Sequence, residues 1–394
     1  MYTSSTTNRT LPVQMKVLFI TSWFPSRVHP TNGNFIGRHA RLLAGQHEVM
    51  VAAVEVDEAL PFGTLDVTRR AEDGYAVIQV YVGYGPGVPG PVKVALRLRA
   101  YAKALRTARA AFGTPDLLHG QVLLDGGMVA ALYSRFWARP FVLTEHSTAY
   151  HNAGALGGLR AWLGRYACRW AKTIMPVSDH LGRSMRKING LEGNYRSVSN
   201  VVNEKMYELV TPKTTPPFCL LHVSNFYEVH KNISGLLSAF SSIEQSIGNE
   251  ITLHLAGDGD LEALRRMIDE AGTPGITCSG PHSEAEVAKL MQSSHAFVLF
   301  SNYENQPVVL LEAQMSGRPC IATPVGGIPD IVVDRETGLL VPVGDEVALA
   351  GAIISLRENY ASFEQAKIRQ RALAVYSEAA VLQSLNEVYA EAVR

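Results

Sequence analysis

Short apolar runs alternate with helical stretches along this chain. Such runs suit strands buried on both faces, so their order predicts parallel sheets covered by helices. In the first half strands are expected at 16–20, 47–54, 75–82, 117–120, 141–144, 173–177 and 196–198. The stretch NEKMYELVTPKTTPP, 203–217, is rich in proline and threonine and marks a connection between domains. Beyond it strands are expected at 218–223, 251–256, 276–279, 296–300 and 319–322. The order suggests an α/β fold of two Rossmann-like domains facing a cleft, one over 15–205 and one over 218–376, joined by a linker at 206–217. Ligands of such sheets bind beyond the carboxyl ends of the strands. No internal repeat or low-complexity tract is visible.

Composition narrows this little. With 394 residues, 47% hydrophobic and 18% charged, the chain is globular and long enough for two cores. No apolar run reaches the ~18 residues of a bilayer span. The first 14 residues, MYTSSTTNRTLPVQ, lack the apolar core of a signal peptide and read as a disordered lead-in, so a cytoplasmic protein is expected. Cys168, Cys219, Cys278 and Cys320 are scattered without metal-ligand spacing, which fits a reduced compartment with neither disulfide nor zinc.

The zero net charge hides an asymmetry. Residues 1–200 hold 23 Lys and Arg against 12 Asp and Glu, and residues 201–394 hold 13 against 24. Much of the excess lies in Lys93, Arg97, Arg99, Lys103, Arg106 and Arg109, on a helix expected over 92–112, and in Arg160, Arg165, Arg169 and Lys172. A solvated helix face accounts for such a pattern. Attraction to an anionic membrane surface, worth about 1 kcal/mol per basic residue near the headgroups, accounts for it too. Nucleic acid fits less well, because no aromatic stacking pattern or DNA-reading motif accompanies the charge.

The richest chemistry lies in 298–333, VLFSNYENQPVVLLEAQMSGRPCIATPVGGIPDIVV. Val298 to Ser301 ends a buried strand, and Pro307 suits the first turn of a helix. Glu304 then sits in the turn and Glu312 inside the helix, roughly 12 Å apart by helical rise, beyond the ~5 to 9.5 Å of a glycosidase pair. They cannot share one bond, but they can hold two ends of one extended ligand. Glu304 alone could be an ordinary turn residue. Glu312 interrupts Val308, Val309, Leu310, Leu311 and Ala313, and a carboxylate in so apolar a helix needs a partner, of which a nucleotide ribose is one. Gly326 and Gly327 precede a short helix start, where open backbone N–H groups can meet an anion, although a glycine pair alone is only a turn signal.

These residues resemble the donor-site signature of retaining GT-B glycosyltransferases of family 4, the E-x7-E family. The resemblance extends over LHVSNFYEVHK at 221–231, LHLAGDGD at 253–260 and the segment 276–299 with Gly280. It implies that Glu304 lies against the donor sugar, that Glu312 binds the nucleotide ribose and that Lys231 meets the diphosphate. It implies also that the last segment, 377–394, returns to the N-terminal domain as a helix. In the first half, Gly33 precedes a helix expected from Phe35, where the family places a glycine loop near the diphosphate; Gly-Asn is a common turn as well. His146 follows the strand at 141–144, and the resemblance implies contact with donor sugar or acceptor, while lone histidines often serve as caps or core donors. His119 resembles a recurrent family histidine whose role is less clear and which a structural role would also explain.

The implied reaction moves a sugar from a UDP- or GDP-sugar to a hydroxyl of a glycan or lipid-linked acceptor with retention, by front-face attack and without a protein nucleophile. Departure of the diphosphate sets the barrier, and preorganised donors can lower it. No metal is required, and no cofactor is expected beyond the nucleotide sugar. Many family members act on lipid-linked acceptors, which favours the inner face of a membrane and the synthesis of cell-surface polysaccharide or glycolipid. Two departures stand out. Asn225 holds a place where the family commonly has an arginine, and it lacks both charge and bidentate fork. Asn305-Gln306-Pro307 replaces the usual Gly-Phe-Gly of the donor loop, and Pro307 removes a backbone donor. A GT-B relative of other chemistry, such as a UDP-sugar 2-epimerase or inverting transferase, and a non-catalytic nucleotide-sugar-binding scaffold remain the alternatives. A nicotinamide dehydrogenase is disfavoured, because the first strand is not followed by G-x-G-x-x-G and GDGD at 257–260 is too short a match.

Overall fold

A computed structural model describes residues 14–151, 156–188, 190–212, 216–247 and 250–394. The lead-in expected over 1–14 falls almost entirely outside them. Among the described residues thirteen strands form two sheets. The first holds β1 (Lys16–Thr21), β2 (Glu48–Val56), β3 (Leu65–Ala71), β4 (Ala76–Val82), β5 (Leu117–Gln121), β6 (Phe141–Glu145) and β7 (Ile174–Pro176), in the order β3-β4-β2-β1-β5-β6-β7. The second holds β8 (Phe218–Val223), β9 (Ile251–Ala256), β10 (Ile276–Ser279), β11 (Ala296–Leu299), β12 (Cys320–Ala322) and β13 (Gly338–Leu340), in the order β10-β9-β8-β11-β12-β13. All pairings are parallel except β3 with β4.

The near-continuous apolar runs follow from burial on both faces. Along β1, Leu18 and Ile20 enter the core under helix Gly90–Phe112, while Val17 and Phe19 enter a second core on the opposite face. Alternate residues of a strand point to opposite sides, so both sets had to be apolar. The second core is closed by helix Glu378–Val393, whose Val381, Leu385, Val388 and Tyr389 are buried against strands of the first sheet. Ser377 caps that helix by accepting from the Ala380 N–H at 3.3 Å. The end of the chain therefore crosses from the second sheet to seal the first.

Residues 196–198 form no strand, contrary to the expectation from sequence. They run beside β7, where the Arg196 and Val198 N–H groups donate to the Ile174 and Pro176 carbonyls at 3.0 and 3.1 Å, and the polar run there continues no ladder. Two strands carried too little signal to be expected. β3 is a half-exposed antiparallel edge of sequence LDVTRRA, and β13 is three residues long.

Candidate functional site

The loops beyond the carboxyl ends of the two sheets meet across a cleft. On the C-terminal side, β11 leads into a loop carrying Glu304, 8% exposed, whose Oε1 accepts from Ser301 Oγ at 2.9 Å and from Lys231 Nζ at 2.5 Å. Lys231 ends the short helix Glu228–Lys231 after β8, and the Asn302 N–H fixes the two loops together by donating to the His230 carbonyl at 2.7 Å. Glu304 lines a cavity of about 430 Å³ with Tyr150, His180, Ser184, Lys187 and Tyr303.

Eight residues on, Glu312 lies 3% exposed in helix Val308–Met315. Its partner comes from the other domain: Arg38 Nη2 lies 2.7 Å from Glu312 Oε1 and 3.1 Å from Glu284 Oε1. Burial pushes the Glu312 carboxyl upward, and the Arg38 charge beside it opposes that rise. Burial also works against the Arg38 charge, but the two carboxylates outweigh it and hold the guanidinium ionised. Arg38 and Glu312 line a cavity of about 490 Å³ between helix Asn34–Ala44 and helix Val308–Met315, together with Asn34, Tyr207, His282 and Glu284. Thus the two carboxylates of E-x7-E are buried, each holds a cation, and each lines its own cavity.

His146 opens the loop after β6 on the facing domain. Its ring lies against Phe35 with centroids 4.4 Å apart, and its Nε2 lies 3.0 Å from Gln121 Oε1. Burial pushes its pKa well below the usual range, so the imidazole is neutral. Beneath it, the buried Glu145 carboxylate accepts from the Leu123, His146 and Ser147 N–H groups at 2.7, 2.8 and 2.7 Å and so fixes the loop. Asn305 reaches this loop from across the cleft, with Nδ2 donating to the His146 carbonyl at 2.5 Å. His119 is fully buried with its ring nitrogens on Tyr389 and Thr144 at 2.7 and 2.6 Å, a tie between β5 and the last helix.

Of the residues expected at the donor site, Gln306, Gly327 and Asn225 are held by other partners. Gln306 Oε1 accepts from the Asn200 N–H at 2.8 Å and Ser199 Oγ at 3.1 Å, so its side chain bridges the domains rather than facing either cavity lined by a glutamate. The Gly327 N–H, expected to be open to an anion, donates to the Asn305 carbonyl at 2.6 Å, and the helix that follows, Ile328–Ile331, has only four residues. Gly326, at φ 57°, lines the same cavity as Glu304 and packs where a Cβ would lie 1.8 Å from the Glu304 carbonyl oxygen. Asn225 is exposed, and its Oδ1 accepts from the Tyr227 N–H at 3.3 Å. Gly33, at φ 70°, opens helix Asn34–Ala44 where a Cβ would lie 2.2 Å from the Trp23 carbonyl oxygen, so the close approach alone requires glycine there. Sequence reasoning missed Arg38, Glu284 and Tyr207. The signal for Arg38 was its place one helical turn after Asn34, on the same face.

Among the described residues no group of three or more His, Cys, Asp or Glu is placed to hold a metal, and no helix is long and apolar enough to cross a membrane. All four cysteines are free.

The family model described as Glycosyl transferases group 1 matches residues 217–359, and that described as Glycosyl transferase 4-like domain matches 33–200. The chain is 26% identical over 360 residues to the putative teichuronic acid biosynthesis glycosyltransferase TuaC of Bacillus subtilis, covering 86% of this chain and 88% of that protein. Its fold matches sucrose-phosphate synthase from Thermosynechococcus elongatus with a TM-score of 0.76 at 22% identity, over 96% and 98% of the two chains. Anabaena HepE in complex with UDP and glucose matches with a TM-score of 0.71 at 17% identity, over 96% and 100%. With one model on each domain and the E-x7-E carboxylates in the cleft between them, the chain belongs to the group 1, family 4-type glycosyltransferases of GT-B fold.

Proposed function

We propose that this enzyme moves a sugar from a UDP- or GDP-sugar to a hydroxyl of a glycan or lipid-linked acceptor, with retention, in the synthesis of cell-surface polysaccharide or glycolipid. The observation that carries the reading is the pair of buried carboxylates, Glu304 on Lys231 and Glu312 on Arg38, each lining a cavity in one cleft. Glu312 takes the ribose hydroxyls, which can both donate to one carboxylate. Glu304 takes hydroxyls of the donor sugar, and Lys231 meets the departing diphosphate, where a fixed charge counts most as negative charge develops. Neutral His146 contacts sugar or acceptor by hydrogen bonding. The charge of the leaving group is met by side chains, and no metal enters the scheme.

In this reading the enzyme meets its acceptor at an anionic membrane on the cytoplasmic face. Supporting this, Phe136, Leu159 and Trp162 are 77%, 69% and 59% exposed on helices Met128–Trp137 and Gly158–Trp170. Arg135 lies over Trp170 at 4.5 Å and Arg109 over Trp137 at 5.3 Å, so basic and aromatic groups share this face. Part of the charge is spent internally: Arg97 is paired with Asp125 at 2.5 Å.

The test is turnover of UDP- and GDP-sugars by the purified enzyme and by Glu312→Ala, with the anomeric configuration of the product read by NMR. A product that keeps the donor's α or β configuration, and loss of donor binding in the variant, support the reading. An inverted anomer rejects retention.

A further inference from the structure

Around Glu312 the charges do not balance for an anionic ligand. The cavity that holds Glu312 is lined by Arg38 and Arg41 against Glu72, Glu284 and Glu312, two cations against three carboxylates, and Arg38 is already shared by Glu312 and Glu284. Asn225, where a cation would be expected, contributes none. A diphosphate entering such a site is repelled unless a cation is released to meet it. Arg38 is the group positioned to be released. Its Nη2 carries both carboxylate contacts, while its Nη1 is buried with no hydrogen-bond partner among the described residues. A buried guanidinium N–H without an acceptor is a costly arrangement that an incoming anion relieves.

We propose that donor binding exchanges the partners of Arg38. The ribose hydroxyls replace Nη2 on Glu312, and the freed guanidinium turns back along its helix to the diphosphate, supplying the charge that Asn225 lacks. The helix makes that turn natural. Arg38 lies four residues after Asn34 and lines the same cavity, and helical side chains lean toward the N-terminus, here toward Gly33. The inference rests on the ribose role of Glu312. It makes the two halves of the nucleotide cooperative: nucleoside alone must break the Arg38–Glu312 pair without return, and the diphosphate is the return.

The experiment is calorimetric titration of the full-length enzyme, Arg38→Gln and Glu284→Gln with UDP, GDP, uridine and guanosine, with melting temperatures recorded for each variant. In Arg38→Gln the preferred nucleoside diphosphate should bind roughly tenfold more weakly or worse, while its nucleoside binds as well as in wild type or better. In Glu284→Gln, where one competitor for Arg38 is gone, the diphosphate should bind several-fold more tightly. Equal weakening of nucleoside and diphosphate in Arg38→Gln, or unchanged diphosphate binding, overturns the exchange and leaves the donor site standing. Should Arg38→Gln fail to fold, an unchanged or weaker diphosphate affinity in Glu284→Gln overturns it instead. Wild type that binds no nucleotide overturns the donor-site reading and the exchange together.

Discussion

Lys231 Nζ and Glu304 Oε1 lie 2.5 Å apart, joining the loop after β8 to the loop after β11. In the proposed reaction the lysine stabilises charge that appears only as the donor bond breaks. Lys231→Ala should therefore lower kcat by about 10²–10³. The Lys231→Ala, Glu304→Ala double variant should lose less than the product of the single losses, because each single change strands its partner. Steady-state kinetics on the four proteins checks this.

Acid should destabilise the fold in a defined window. His39, 0% exposed, has its pKa pushed down by burial to about 4, as has fully buried His222, and burial drives His119 and His146 well below the usual range. Unfolding lets these side chains take up protons below their ordinary pKa of about 6.5, so the unfolded state binds more protons there and stability falls as the pH drops from that value toward 4. Above it they exert no pull. The carboxyls of Glu145 and Glu312, both pushed upward by burial, act in the opposite sense: folded, they take up protons at a higher pH than free carboxylates do, which offsets part of the loss. Melting temperature should be flat from pH 8 to about 6.5 and fall steeply below.

Tyr389→Phe should cost about 1–3 kcal/mol, since it strips the hydroxyl from the Nδ1 of fully buried His119 and leaves that nitrogen unpaired. Chemical denaturation measures the loss. The enzyme should keep its turnover at low temperature, because this contact seals the first sheet rather than lining the cleft.

Gly326→Ala should abolish turnover while the protein still folds. The new Cβ would press on the Glu304 carbonyl and displace the carboxylate loop. A cooperative melt at a lowered temperature combined with lost activity is the expected pair of results.

Replacing Phe136 and Trp162 together by serine should weaken binding to vesicles containing anionic lipid and leave transfer to a short, water-soluble acceptor unchanged. Sedimentation with vesicles at low and high salt checks it. Unchanged binding in the variant would count against this face.

Much of the fold was legible because burial on both sides leaves few polar interruptions: β1 and β2 are nearly continuous apolar runs, and β8 is broken only by His222. β3 escaped notice because an edge strand mixes Thr68, Arg69 and Arg70 into its ladder, and 196–198 misled because it runs extended and hydrogen-bonded beside β7 without forming a strand. Glu312 and Glu304 could be singled out for the same reason, as charges in apolar surroundings. Arg38 could not. Its partner Glu312 lies 274 residues away, and only folding brings the two together.

Asn305 and Gln306 are neighbours in sequence, yet both grip the opposite domain, one at the His146 carbonyl and the other at Ser199 and Asn200. The loop carrying Glu304 is thereby riveted to the N-terminal half of the molecule. Any parting of the two domains must pull on that loop. Opening to let product leave and loosening the grip on the sugar would then be one mechanical event, so the enzyme could hold its donor firmly only while shut.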